Sequence, residues 1–141
     1  MNQFDRPKRG VVAVIPRGER LLVIRRSQLV IAPGAYCFPG GGIEANEDER
    51  TAVVRECREE LGVACRPQRE LWQSVTPWHV ELSWWLAELP SDVSLIPNDD
   101  EVESVHWLTP PEMRALSDLL TSNLHFLDSW ERGEFELSLL P

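Results

Sequence analysis

The stretch that decides the fold is residues 41–63, which read GGIEANEDERTAVVRECREELGV. Apolar side chains recur in its second half at the spacing of one helical face, which predicts a helix over residues 48–61. Asn46 is expected to cap this helix with Glu49 three residues later, as in a capping box, and Gly62 stands just past its end. The predicted core face consists of Val53, Val54, Cys57 and Leu61.

Three glutamates occupy another face of this helix, since Glu56, Glu59 and Glu60 stand at i, i+3 and i+4. Inside a cleft, at roughly 5 Å and an effective dielectric constant near 20, each pair of carboxylates would repel by about 3 kcal/mol. Such a cluster needs a counter-charge, and ligands that are all oxygen select a hard cation such as Mg²⁺ or Mn²⁺. A solvated acidic face partnered by Arg55 and Arg58 is the other interpretation, and the helix alone leaves both open.

The spacing around the helix is more specific than the helix itself. Gly41 is followed by five residues, Glu47, seven residues, and then the block over residues 55–63. Seven fixed identities arise by chance in on the order of one chain in a million, at average composition. The pattern resembles the Nudix box, and the chain is identified as a MutT-like member of the Nudix hydrolase family, with the subfamily unassigned. Cys57 stands where a larger aliphatic residue is usual, and we interpret it as a packing residue. The seven positions are Gly41, Glu47, Arg55, Glu56, Glu59, Glu60 and Gly62.

The remaining sequence predicts a mixture of strands and helices without strict βαβ alternation, which favours a mixed sheet between helices. The resemblance implies an α/β fold, the Nudix α/β/α sandwich with a mixed β-sheet and the box as loop-helix-loop. We expect residues 1–141 to form a single Nudix hydrolase domain, with the likeness covering roughly residues 8–130. The predicted strands are 10–15 and 20–26, joined as a hairpin, a short strand at 36–38, a pair at 70–76 and 80–89, and 102–108; the further helices are 110–119 and 122–132.

The resemblance also implies roles for individual residues. Divalent metal ions, Mg²⁺ or Mn²⁺, would be held by the three box glutamates, by the Gly40 carbonyl and by a loop glutamate. Glu101 is the first choice for that loop, because it stands six residues before a tryptophan, as in the mutator-type member of the family. Glu47 and Arg55 would fix the helix and orient the carboxylates. The expected catalytic residues are Glu56 and Glu59 as candidate bases, with Glu101 as the loop alternative, together with Arg55.

Several side chains are candidates for binding the substrate. Arg25 and Arg26 lie at a strand end, and arginine suits the geometry of phosphate. A base could stack on Tyr36, Trp72 or Trp78, although most of the six tryptophans are expected to pack in the core. The expected substrate is a small nucleotide-like molecule.

Composition narrows the class of protein. The formal net charge of −9 argues against a general nucleic-acid binder. Three cysteines without a close pair indicate reduced thiols and a cytoplasmic protein. The chain starts without an apolar leader and has no run long enough to span a membrane, so no membrane association is expected. Many members of the family pair as dimers, and the resemblance leaves a homodimer open.

The sequence is compatible with three functions. The first is a metal-dependent hydrolase that cleaves a diphosphate linkage in a nucleoside diphosphate derivative or a nucleoside triphosphate. Its candidate substrates are ADP-ribose, a coenzyme A-like compound and a (deoxy)nucleoside triphosphate. The resemblance to ADP-ribose diphosphatases is incomplete, because Pro77 lies nearer the box than their proline. The resemblance to coenzyme A diphosphatases is also incomplete, because Ile31 stands where they have an arginine. The second is a catalytically weak Nudix-fold nucleotide-binding or regulatory module. The third is an isoprenoid diphosphate isomerase, which would need a catalytic cysteine, and Cys37 is its candidate.

Overall fold

The structure is a computed structural model that describes residues 8–140. The expectations about the chain start and about residue 141 therefore lie outside the described residues. The elements follow in the order β1 (Lys8–Val14), β2 (Pro16–Arg17), β3 (Arg20–Arg26), β4 (Tyr36–Cys37), β5 (Gly40–Gly42), α1 (Glu49–Leu61), β6 (Arg66–Val75), β7 (Val80–Glu88), β8 (Val102–Leu108), α2 (Pro110–Arg114) and α3 (Thr121–Glu131).

The strands form two four-stranded sheets. In the first, the order is β5-β1-β7-β6, and β1 runs parallel to β7 but antiparallel to β5. In the second, β3 pairs with β2, β4 and β8, in each case antiparallel. The predicted pairing of the strands before and after Pro77 is confirmed, because β6 and β7 form an antiparallel pair.

The predicted hairpin between residues 10–15 and 20–26 is wrong. The two segments belong to different sheets, and the strand that forms the hairpin with β3 is the two-residue strand β2, in the register Pro16–Leu21 and Arg17–Arg20. The chain therefore passes from one sheet to the other at Ile15, whose carbonyl still accepts a hydrogen bond from the Leu22 N–H at 3.0 Å. Local alternation could not reveal this change of sheet, because both segments are apolar.

Two hydrophobic cores lie on opposite sides of the sheets. Val11 and Ala13 of β1 pack with α1, whereas Val12 and Val14 pack with α2 and α3, as successive residues of a strand must face opposite ways. Helices therefore cover both faces, and the predicted α/β/α sandwich with mixed pairing is confirmed. In the core beneath α2 and α3 the aromatic side chains contact one another, and Trp84 stacks on Phe126 with ring centroids 4.9 Å apart.

The N-cap of the box helix lies two residues later than predicted. Asp48, not Asn46, is the N-cap, and its carboxylate accepts a hydrogen bond from the Thr51 N–H at 2.7 Å. Asn46 lies in the preceding loop with a left-handed φ of 64°. Gly62 ends the helix in the left-handed conformation (φ 68°), as predicted, and its N–H bonds to the carbonyl of Arg58.

The helix after β8 is shorter than predicted, because it ends at Arg114. The chain that follows turns back to β4, where the Tyr36 N–H donates to Asp118 O and the Leu120 N–H donates to Tyr36 O, both at 2.9 Å. This pairing with a strand is incompatible with helical backbone. In the described residues, none of the helices has the length and hydropathy of a membrane span.

Candidate functional site

The site is formed where α1 crosses the short strand β5. Three successive glycines make this strand, and two of them are in close contact with their surroundings. A Cβ added at Gly40 would overlap the backbone carbonyl of Val11, and one added at Gly41 would overlap the carboxylate of Glu56. At Gly42 the space is open. The lack of side chains thus lets the helix bring its carboxylates directly onto the strand backbone.

Glu60 is the most deeply buried of the three box glutamates, with 5% of its surface exposed. Its Oε1 accepts a hydrogen bond from the Gly40 N–H at 2.8 Å. The pKa of Glu60 is raised to about 8, chiefly by burial; the Gly40 hydrogen bond opposes this rise, and the negative charges of Glu56 and Glu101 add to it. A carboxyl that is held in this position beside two others is poised to ionise when a cation arrives.

Glu56 lies beside Glu60, one turn earlier on the helix. Its side chain is 12% exposed and is bonded to the Arg55 guanidinium at 2.9 Å. Burial also raises the pKa of Glu56, which Arg55 opposes and the charges of Glu59 and Glu101 reinforce. Two neighbouring carboxyls with raised pKa values favour a divalent cation as their common partner.

Arg55 connects the helix to the loop that precedes it. Its guanidinium bonds both carboxylate oxygens of Glu47, at 2.7 and 2.9 Å, and the carbonyl of Gly42 at 2.7 Å. The Arg55 hydrogen bond lowers the pKa of Glu47 to about 2. Glu47 and Arg55 therefore form an ion pair that joins the loop to the helix, and the resemblance implies this pairing.

Glu59 is placed differently from the other two. Its side chain is 47% exposed and its carboxylate contacts Arg55 at 3.3 Å. Within residues 8–140, no group of three or more His, Cys, Asp or Glu side chains is already arranged as a metal cage. The physical reason is that Arg55 engages Glu56 and Glu59 while Gly40 engages Glu60. The donors nevertheless fit a hard cation, because carboxylate oxygens buried together repel one another without one.

Glu101 reaches the same place from the loop between β7 and β8. Its negative charge acts on the pKa of both Glu56 and Glu60, so its carboxylate lies on their side of the molecule. The Glu101 carbonyl accepts a hydrogen bond from the Ser27 N–H at 2.9 Å, which ties this loop to the end of β3. Sequence reasoning identified Glu101 but missed Ser27.

The two candidate phosphate-binding arginines are separated by the sheet. The charge of Arg26 acts on Glu60 and on the Cys37 thiol, which places Arg26 on the side of the carboxylates. In the part of the chain that the structure describes, no carboxylate lies within salt-bridge distance of Arg26. Arg25 instead contacts Glu103 at 3.3 Å and Asp118 at 3.8 Å.

Tyr36 and Trp78 also lie away from the carboxylates. Tyr36 pairs with Arg25 across β3 and β4, and its ring contacts that guanidinium and His106. Trp78 is 81% exposed at the tip of the β6–β7 hairpin. The structure thus brings Arg26 to the box glutamates but does not bring Arg25, Tyr36 or Trp78 there.

Cys57 and Cys37 are both buried. Cys57 packs in the core beneath α1, as predicted for a packing residue. Burial raises the pKa of Cys37 to about 11, so its thiol is protonated at neutral pH. The Cys37 side chain is 4% exposed and packs in the same core as Cys57, which argues against the accessible catalytic cysteine that the isomerase alternative requires.

The family model described as the NUDIX domain matches residues 6–130. The chain belongs to the Nudix family. The identification made from the box is therefore confirmed, and Nudix hydrolases are pyrophosphohydrolases that act on acid anhydrides.

The curated relatives of this Nudix chain are longer than the part that they share with it. The NAD-capped RNA hydrolase NudC of Pseudomonas aeruginosa (strain LESB58) is 28% identical over 129 residues, which cover 91% of this chain and 45% of NudC. The CTP pyrophosphohydrolase of Escherichia coli (strain K12) is 42% identical over 53 residues, or 38% of this chain and 39% of that protein. The chain thus spans less than half the length of NudC, whereas the match to the CTP pyrophosphohydrolase is confined to a short segment of both proteins.

Solved structures share the fold over nearly the whole chain. The MutT protein from Methanosarcina mazei Go1 superposes with a TM-score of 0.75 at 18% identity, covering 94% of this chain and 99% of that one. The MutT Nudix hydrolase from Burkholderia pseudomallei superposes with a TM-score of 0.71 at 24% identity, covering 88% and 98%. At these identities the likeness establishes the α/β architecture.

Proposed function

We propose that this Nudix chain is a Mg²⁺- or Mn²⁺-dependent pyrophosphohydrolase, which cleaves a diphosphate linkage in a nucleoside diphosphate derivative or a nucleoside triphosphate. One observation carries the proposal. Glu60 is buried beside Glu56 and within the electrostatic reach of Glu101, while the guanidinium of Arg26 lies on the same side without a carboxylate partner among residues 8–140. This arrangement combines donors for a cation with a donor for phosphate.

The metal would be held by Glu56, Glu60 and Glu101, with Glu59 turning in from its contact with Arg55 and with the Gly40 carbonyl as a further donor. When bound, a divalent cation neutralises the diphosphate and lowers the pKa of a coordinated water.

The side chains of the site have separate proposed roles in proton transfer and in binding phosphate. Glu56 and Glu59 are the proposed bases, because both carboxylates contact Arg55 without being held by it alone, and either can accept a proton from a water within hydrogen-bond distance. Arg26 is proposed to bind a substrate phosphate oxygen, since its charge is uncommitted and its Nε is fixed by the Ile31 carbonyl at 2.6 Å.

The substrate class is proposed from the chemistry that the relatives share. The relatives include proteins named as an NAD-capped RNA hydrolase, a CTP pyrophosphohydrolase and a nucleoside triphosphatase. Each name describes a nucleotide with a phosphoanhydride. For this chain the candidates remain ADP-ribose, coenzyme A-like compounds and (deoxy)nucleoside triphosphates.

We propose a small molecule and not a capped RNA, because the chain has a net charge of −9 and an RNA tail would be repelled by an acidic surface. We further propose that residues 1–141 act as one Nudix domain, as a monomer or a homodimer. A reducing compartment such as the cytoplasm is proposed for it, since its three cysteines are buried and free.

The test is a panel of nucleotides incubated with the protein and Mg²⁺, with product release followed by chromatography. The panel contains ADP-ribose, coenzyme A, the nucleoside triphosphates and a short NAD-capped RNA. We expect cleavage of at least one small nucleotide, loss of that cleavage in EDTA, and a decrease in kcat of several orders of magnitude for Glu60→Gln. Tight nucleotide binding without turnover would instead identify the regulatory module, and cleavage of the capped RNA alone would refute the proposed substrate class.

A further inference from the structure

The loop that carries Glu101 is attached to the end of the box helix by its backbone. The Ile96 N–H donates to the carbonyl of Leu61 at 2.8 Å, and the Asn98 N–H donates to the carbonyl of Glu60 at 3.0 Å. Carbonyls in the last turn of a helix have no partner within the helix, so the loop satisfies two of them. Residue 98 is thereby fixed to the backbone of a proposed metal ligand.

Asn98 also organises the four residues that follow it. Its carbonyl accepts hydrogen bonds from the N–H groups of Glu101 at 2.9 Å and Val102 at 2.7 Å. Its side-chain Oδ1 accepts the Asp100 N–H at 3.1 Å, which closes an Asx turn. One residue therefore contacts the Glu60 backbone on one side and the Glu101 backbone on the other.

A second contact holds the far side of the same turn. The buried hydroxyl of Ser27 donates to the carbonyl of Asp100 at 2.8 Å, and the Ser27 N–H donates to the carbonyl of Glu101 at 2.9 Å. Glu101 thus lies in a turn that is bonded to α1 through Asn98 and to β3 through Ser27. A glutamate on an unattached surface loop would lose this fixed relation to Glu60.

We propose that Asn98 is a positioning residue, which sets the carboxylate of Glu101 relative to that of Glu60 through its Asx turn. The inference rests on the proposed function, because it assigns a role in assembling the cation site. Asn98 itself acts through Glu101 and contacts no reacting atom. Groups that hydrogen-bond a metal ligand directly change metal affinity by about 10–100-fold when they are replaced, and Asn98, which acts on Glu101 through the backbone, is expected at the lower end of this range.

The experiment is a double-mutant cycle with Asn98→Ala and Glu101→Gln. Mn²⁺ binding to each variant is measured directly from the electron paramagnetic resonance signal of the free ion. We expect Asn98→Ala to weaken Mn²⁺ binding about tenfold in the wild-type background but less than about twofold in the Glu101→Gln background. Asn98→Asp, which keeps the Oδ1 acceptor, is expected to bind Mn²⁺ about as well as the wild type. Equal losses in both backgrounds would overturn the proposal, since Asn98 would then act independently of Glu101.

Two controls separate positioning from general stability. Ser91→Ala removes an exposed hydroxyl from the same loop between β7 and β8. Its midpoint of thermal unfolding in EDTA is the reference for that of Asn98→Ala. If Asn98→Ala unfolds, Ser27→Ala tests the other side of the turn by the same cycle. A fall in kcat with a change in KM of less than about threefold is expected as well, because the substrate contacts are unaltered.

Failure of the inference differs from failure of the proposed function. A wild-type protein that neither binds Mn²⁺ nor cleaves any member of the panel refutes the function, and the inference with it. A wild type that does both, with an Asn98→Ala variant that matches it, refutes the positioning role alone.

Discussion

Replacing Glu60 with glutamine should stabilise the metal-free protein and abolish its response to metal. The side chain is 5% exposed, and burial raises its pKa to about 8 from an ordinary value of 4.5. The folded protein therefore binds a proton at Glu60 that the unfolded chain releases between these two pH values. Protonation stabilises the fold fully below pH 4.5, and that stabilisation is lost as the pH rises through 8.

The magnitude follows from the difference between the two pKa values. Ionisation of this group lowers the free energy of unfolding by about 2 kcal/mol at pH 6 and about 4 kcal/mol at pH 8, relative to pH 4. Glutamine retains an oxygen that can accept the Gly40 N–H but carries no charge. The difference in unfolding free energy between Glu60→Gln and the wild type should therefore grow with pH by these amounts.

Urea denaturation in EDTA between pH 4 and pH 8 measures this difference, and a parallel series in Mg²⁺ measures the response to metal. At a free Mg²⁺ concentration of 100 times Kd, the wild type should gain about 2.7 kcal/mol at pH 8. Glu60→Gln should gain little, because the cation has lost its most buried carboxylate. A difference that stays constant from pH 4 to pH 8, or equal stabilisation of both proteins by Mg²⁺, would refute the reasoning.

Three further substitutions test other parts of the structure. Gly41→Ala should weaken Mn²⁺ binding at least about tenfold with little loss of stability, because its Cβ displaces only the flexible end of Glu56. Gly42→Ala, where the added Cβ enters open space, is the matched control, and Mn²⁺ titration of both variants tests this expectation. Arg26→Ala should lower kcat/KM by about 10–100-fold, since a charge-assisted phosphate contact contributes about 1.5–3 kcal/mol, and steady-state kinetics that match the wild type would exclude this role. His79→Gly should raise the free energy of unfolding by about 1 kcal/mol, because residue 79 has a φ of 61° that favours glycine, and a lower thermal midpoint would contradict this account.

Features that depend on short-range order were readable from the sequence. The apolar period that predicted the helix over 48–61 is a property of neighbouring residues, and so is the end of the helix at Gly62. The pairing of Glu47 with Arg55 followed from the resemblance, and the structure forms it with bonds of 2.7 and 2.9 Å. Glu101 was identified from the resemblance to the mutator-type member of the family, by its distance from Trp107 along the chain.

Features that depend on contacts between distant segments were not readable. The strand β5 escaped prediction because glycines have low strand propensity, and only its pairing with β1 fixes it. Strand alternation separates Arg25 from Arg26, but the sequence did not show which of them faces the box glutamates, because that depends on the side of the sheet that α1 covers. The position of Asn98 against the box helix likewise exists only after the chain has folded.

By itself the sequence determined the family, the box helix and the set of carboxylates on it, because their spacing is fixed by the covalent chain and by the helical period. Only the tertiary structure decided that Glu60 is buried, that Glu59 is exposed, and that Arg26 is the arginine on their side. Burial and charge proximity arise when β5, α1 and the loop with Glu101 come together. Identical carboxylates therefore acquire different pKa values from surroundings that no local pattern specifies.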